Sequence, residues 1–171
     1  ALEKAKEMSD LNLIAASKNN LAVVYREHHD YEESVRLAKE GLQWDSIYQK
    51  DRELYARLVD NLAYSQFKLK KTGKEIFDAL EDARAIRDSL GDESGLSVSN
   101  IHIGEYHIEN GNIFRAKAIL RDELIHAKKN SSASDLIHAL DLLGQIDPEN
   151  SQKYLQRRIA ISDSLIDIER K

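Results

Sequence analysis

Along "NNLAVVYREHHDYEESVRLAKEGL", residues 19 to 42, apolar positions recur at helical spacing, stop at a polar knot, and resume. The first run sets Leu21, Val24, Tyr25 and His28 on one stripe, and the second sets Tyr31, Val35, Ala38 and Leu42 on another, with small Ser34 among them. "HHD" separates the two. Asp30 can cap the second helix, and Glu33, three residues on, can complete a capping box. Two amphipathic helices joined by so short a turn pack antiparallel, which predicts a helical hairpin.

The pattern returns downstream. "NLAYSQF" (Asn61 to Phe67) repeats "NLAVVY" (Asn20 to Tyr25), "HIGEYHIENGNIFRAKAIL" (His102 to Leu120) gives a third copy, and "ALDLLGQIDPENSQKYL" (Ala139 to Leu155) gives a shortened fourth. The anchors Leu21, Leu62 and Ile103 lie forty-one residues apart in each step, and Leu140 follows after thirty-seven. A period of this size predicts stacked helical hairpins. Ala22, Ala63 and Gly104 follow the anchors, so these positions are expected where helices approach most closely.

Punctuation agrees with that division. Thr72 with Glu75 can start a helix after "KLKK" (Lys68 to Lys71) ends one, where the cations complement the helix dipole. Gly91 and Gly95 flank a connection, and Gly111 falls where a helix should stop. "SSASD" (Ser131 to Asp135) offers another N-cap. In "DPEN", Asp147 is a cap residue and Pro148 occupies the first helical position. A single array over residues 1–171 follows: 1–10 as the second helix of a truncated repeat, repeats at 12–48, 50–90 and 93–130, and a degenerate repeat plus capping helix at 132–171. No linker marks a second domain.

Composition sharpens the class. The 171 residues include one proline and seven glycines, too little punctuation for a turn-rich β fold, and helix-favouring residues dominate. The net charge of −5 is spread evenly, which lacks the concentrated basic face of a nucleic-acid binder. The absence of cysteine removes disulfides and thiolate sites. No apolar run reaches the length of a membrane span, and the start "ALEKAKEMSD", already in helical phase, suggests a trimmed piece of a longer protein.

Candidate chemistry is sparse. His28 and His29 are adjacent and His102 and His107 are five apart, so neither pair shares a helical face, and His126 and His138 fall on separate predicted helices. Gly91 to Gly95 is acidic and lacks the Lys and Ser/Thr of a phosphate loop; Ser97 and Ser99 lack a nucleophile-elbow context. No catalytic residue, metal or cofactor is expected.

These residues resemble the tetratricopeptide repeat (TPR) family. Leu21-Ala22, Tyr25, Tyr31, Ser34, Ala38 and Gly41 fit its pattern in the first copy. Ile103-Gly104, Tyr106 or His107, Gly111, Ala116 and Leu120 fit it in the third. The second departs, with Gln66 in place of an aromatic and Ala79 four residues late. The resemblance implies an all-α, right-handed superhelix of antiparallel pairs. Its repeats exceed the usual length of about thirty-four residues, like those of kinesin light chains and bacterial peptide-sensing regulators.

In such an array the first helices line a concave groove. The resemblance places Asn19, Val23, Arg26, Arg57, Asp60, Tyr64, Phe67, Ile101, Glu105, Ile108, His138 and Leu142 there, either to receive a peptide or protein or to pack against the chain's own last helix. At the positions where chaperone-binding members clamp a carboxylate stand Asn19, Val23, Tyr64, Ile101 and Glu105. Only Asn19 matches, so a chaperone-tail adaptor is not expected.

The tail "YLQRRIAISDSLIDIERK", with Ile159, Ile161, Leu165, Ile166 and Ile168, resembles the segment closing TPR sensor regions of Bacteroidetes-type membrane signalling proteins. A plain helix capping the last repeat is the other reading. The first implies a non-enzymatic, periplasmic sensor region that binds a protein or peptide and feeds a histidine kinase or DNA-binding output. A cytoplasmic adaptor or peptide-pheromone receptor is the alternative, and a helical enzyme or metal protein the remote one.

Overall fold

The computed structural model describes the backbone of residues 2–44, 47–71, 73–126 and 132–169, and the side chains of 10–44, 47–71, 73–125 and 132–164. Among the described residues the chain is all-helical. Its elements are α1 (Leu2–Glu27), α2 (Tyr31–Gly41), α3 (Ile47–Lys50), α4 (Arg52–Lys68), α5 (Lys74–Leu90), α6 (Glu93–Glu109), α7 (Ile113–His126), α8 (Ala133–Ile146), a 3-10 turn at Pro148–Asn150, and α9 (Ser151–Glu169). The long helices pack as consecutive antiparallel pairs, α1–α2, α4–α5, α6–α7 and α8–α9. Two compact units contain them, Ala1–Asp92 and Glu93–Lys171.

In the first unit α4 rests on both α1 and α2. The core joins Ala15, Ala22, Leu37, Ala38, Ile47, Leu54 and Leu58, with Trp44 and Leu62 packed at its edge. Small residues permit this approach. A Cβ built on Gly41 would stand 2.6 Å from a methyl of Leu58, so α2 and α4 come together where α2 has no side chain. Ser34 and Ser65 meet across the same two helices at 2.8 Å.

Residues 2–10 do not form a separate helix: α1 runs unbroken from Leu2, because nothing in that stretch ends a helix. The stripe on α1 also differs from the sequence pattern. Leu21 is 48% exposed, and Val24, Tyr25 and His28 are exposed with it, whereas Ala15, Asn19 and Ala22 turn inward. Leu62, one repeat on, packs onto the preceding hairpin's core. No described element of the unit precedes α1 to cover Leu21 in the same way.

In the second unit α8 rests on both α6 and α7, and α9 folds back on α8. The core is aliphatic: Ile101, Leu120, Leu124, Ala139, Leu140, Leu142, Leu143 and Tyr154. Ile161 of α9 packs against it, while Ile159 is exposed. The tail residues Leu165, Ile166 and Ile168 lie outside the described side chains. A Cβ on Gly104 would meet Leu120 at 2.8 Å, which brings α6 and α7 together as Gly41 does for α2 and α4.

The helix ends use few devices. Asp30 caps α2 by accepting from the Glu33 amide at 3.2 Å. Glu33 turns its carboxylate to Arg36 instead of returning the bond. Asp51 caps α4 through the Leu54 amide and also accepts from Asn12 Nδ2 of α1. Four ends close through a left-handed residue: His29 after α1, Lys70 after α4, Gly91 after α5 and Gly111 after α6. Each time the following amide reaches back to the carbonyl five residues before it. Thr72 and Ser131 fall outside the described residues. Gly73 precedes α5 and Ser132 precedes α8, neither with a side-chain capping bond.

Candidate functional site

The predicted groove residues of the first unit lie on α1 and α4. Asn19 is fully buried and accepts from Asn61 Nδ2 at 2.9 Å. Asn61 in turn accepts from Arg26 Nη1 at 2.8 Å. Arg57 donates to Asn20 at 3.2 Å. The two helices are therefore joined by an amide and guanidinium seam, whose side chains are long enough to reach across, although the buried Asn19 Nδ2 has no hydrogen-bond partner in it. Asp60 is fully buried and faces the buried Arg87 of α5 at 3.6 Å.

Tyr64 and Phe67 are also buried, with ring centroids 6.1 Å apart. Arg26 and Lys68 approach the Tyr64 ring at 5.8 and 5.7 Å, within the range of cation–π attraction. Val23, Arg26 and Arg57 are half-buried. Of the predicted set in this unit, these three present most to solvent, and Asn19, Asp60, Tyr64 and Phe67 are buried.

In the second unit Ile101 and Leu142 belong to the aliphatic core, and Ile108 packs at its edge. Glu105 of α6 and His138 of α8 meet at 2.7 Å, with the histidine side chain 44% exposed. This pair joins α6 to α8 across the face that the sequence reading assigned to the groove.

A cavity that the sequence reading did not anticipate opens in the same unit. It measures about 470 Å³ and is lined by Arg121, Leu124 and Ile125 of α7, Asn150 of the 3-10 turn, and Lys153, Tyr154 and Arg157 of α9. Its rear is fixed by Asp147, which is 2% exposed. Asp147 Oδ2 accepts from the Tyr154 hydroxyl at 2.7 Å, from Arg121 Nη2 at 2.5 Å and from Asn150 Nδ2 at 3.1 Å. Its Oδ1 accepts from Lys117 Nζ at 3.1 Å. So Asp147 occupies the cap position before Pro148 as expected, yet its carboxylate gathers α7 and α9 instead of capping the turn.

The electrostatics follow from that gathering. The Tyr154 hydroxyl and then Arg121 hold the Asp147 carboxyl well below the usual aspartate range. Tyr154 is pushed up, first by burial and then by the bond to Asp147, and Arg121 is pushed up by Tyr154 and Asp147. At neutral pH the aspartate is thus charged, the tyrosine neutral and the arginine charged. Arg157 Nη2 caps the end of α7 by donating to the Leu124 carbonyl at 3.0 Å. No single motif announces this site, although Lys117 and Arg121, four apart on one helical face, hint at a shared anion.

Among the described residues no group of three or more His, Asp or Glu could hold a metal ion, and no helix is long and apolar enough to cross a membrane. No family model matches the chain, and no curated protein matches it.

Proposed function

We propose that the chain is a non-enzymatic protein- or peptide-binding module, a TPR-like right-handed superhelix serving as the sensor region of a bacterial signal-transduction protein. One observation carries the binding reading. The first helices of two neighbouring hairpins, α1 and α4, stand side by side and offer half-buried Val23, Arg26 and Arg57. Asn61 and Asn20 hold the two guanidiniums in place. Arg57, held by the neutral Asn20 amide, keeps its charge for a carboxylate and loses little side-chain freedom on binding. An extended peptide with acidic side chains suits such a face.

Affinity capture tests the reading. Arg57→Glu and Val23→Glu should each lose the partners retained by the unaltered chain, with circular dichroism and thermal melting unchanged. Identical partners on all three proteins, or no partner on any, would overturn it. The sensor reading further expects a run of about twenty apolar residues beyond Lys171 in the full gene product, and a full-length product without one would remove it.

A further inference from the structure

The cavity of the second unit is built from different helices than the proposed binding face. It lies between the second members of two hairpins, α7 and α9, and the Pro148–Asn150 turn contributes Asn150 to its lining. Three of its seven lining residues are cations, Arg121, Lys153 and Arg157, and none is an acid. Lys117 adds a fourth cation at its rear, against the single carboxylate of Asp147, so four positive charges less one negative leave a local surplus of three in a chain whose net charge is −5. The site therefore departs in sign from the molecule around it.

Each cation is placed differently. Arg121 is clamped by Asp147 and Tyr154, while Arg157 is steered by a neutral carbonyl. Lys153 is exposed and has no ion-pair partner among the described residues. Part of the α7 wall is apolar: Leu124 is buried in the core, but its neighbour Ile125 is 76% exposed and lines the cavity with the cations. An inorganic anion would leave that part wet, and a purely apolar ligand would strand the cations. A molecule carrying both groups satisfies both.

We propose that this cavity binds a carboxylate attached to an aliphatic group, either the C-terminal end of a peptide or a free aliphatic acid. The carboxylate lies between Lys153 and Arg157, with Arg121 behind it, and the aliphatic part lies on Leu124 and Ile125. The volume falls within the range of small-ligand pockets. The inference does not depend on the α1–α4 face being a binding face.

Nuclear magnetic resonance titration of the full chain tests it with three compounds: N-acetyl-leucyl-leucine as the free acid, the same compound as its amide, and octanoate. At least one acid should give saturable amide shifts centred on residues 121–125 and 150–157. The amide should bind at least about tenfold more weakly. Binding of the peptide acid alone identifies a peptide end, and binding of octanoate alone identifies a free acid. Lys153→Gln should weaken the acid about three- to tenfold without moving the melting temperature, and the affinity should fall with added salt. Because Arg157 also caps α7, Arg157→Gln is read only with Lys153→Gln beside it. Amide and acid binding equally well, no acid shifting these residues at 10 mM, or unchanged affinity in Lys153→Gln would each overturn the proposal.

Discussion

The two units share one skeleton and fill one register of its seam with different chemistry. In each, the first helix of the second hairpin rests on both helices of the hairpin before it: α4 on α1 and α2, α8 on α6 and α7. Counted from the anchors Leu21, Leu62, Ile103 and Leu140, the seam pair Asn19 and Asn61 corresponds to Ile101 and Ala139, and Arg26 corresponds to Ile108. The first unit thus joins its leading helices through two amides and a guanidinium. The second joins them at the same register through an aliphatic cluster. Helix approach is set by backbone spacing and small residues, and what fills the seam is a separate choice: directional bonds that fix register, or apolar area that adds stability.

Exchanging the two fillings tests that separation. Ile101→Asn would place an amide in a seam that lacks the partners Asn19 has, and would also remove an aliphatic side chain that is 2% exposed. The expected cost is about 3–5 kcal/mol, combining lost burial with an unsatisfied polar group. Urea denaturation would read it, and a cost below about 1 kcal/mol would mean the two seams are interchangeable. Next in size is Gly104→Leu, which must displace Leu120 from its position against the α6 backbone. Overpacking there should cost about 1–3 kcal/mol, and Ala22→Leu, in the same repeat position of the first unit, should cost a similar amount.

The polar seam makes a subtler prediction. Asn61→Ala alone removes the donor to buried Asn19 Oδ1 and one acceptor from Arg26, so it should cost about 1–2 kcal/mol. Adding Asn19→Ile, which copies the filling of the second unit, should recover part of that loss, because replacing both partners removes the unsatisfied group. A double variant less stable than the sum of its single changes would show that the amides do more than satisfy one another.

Asp147 sharpens the contrast through pH. Its carboxyl is depressed by Tyr154 and Arg121, so the folded chain binds this proton less readily than the unfolded chain does. Its contribution is fully present above the ordinary aspartate range, about pH 4, and is lost as pH falls from there toward the depressed value. Asp147→Asn should therefore lower the denaturation midpoint most above about pH 5, with the gap to the unaltered chain closing in acid. A gap that stays constant down to pH 3 would refute the assignment. The first unit has no comparable prediction from its seam, where the joining groups are amides and an arginine.

Much of the skeleton was legible in the sequence because it rests on local signals. Asp30, Gly91, Gly111 and the Asp147-Pro148 pair mark helix ends by their own chemistry, and Ala22, Ala63 and Gly104 mark close approach by their size. The buried side of α1 was not legible. Leu21 and Val24 carry the same helical period as a core stripe, and only the neighbours decide which stripe is covered. The break expected near residue 10 came from repeat length, with no residue there able to stop a helix. The cavity was invisible for another reason. Its cations are spread from Arg121 to Arg157 over two helices, and Asp147, which holds Arg121, Asn150 and Tyr154 of the lining, reads locally as a cap.

The smallest effect concerns two helix ends, in "HHD" and "KLKK", that close through a left-handed residue other than glycine. His29 and Lys70 hold φ of 62° and 58°, in the same left-handed closure that Gly91 and Gly111 adopt at 68° and 74°. A side chain in that region crowds the following carbonyl, a strain glycine does not have. His29 is compensated in part by its ring, which meets the Tyr31 hydroxyl at 3.0 Å. Lys70 is exposed. Lys70→Gly should stabilise the first unit by about 0.5–1 kcal/mol, relieved strain outweighing the greater freedom glycine gives the unfolded chain. Gly91→Ala should cost about as much, since no neighbour lies within 4 Å of the added Cβ and only the backbone angle opposes it. If thermal melting shows Lys70→Gly neutral while Gly91→Ala destabilises, the turn after α4 is held by its flanking helices rather than by its own backbone preference. Closure at that turn would then be a consequence of the α4–α5 packing.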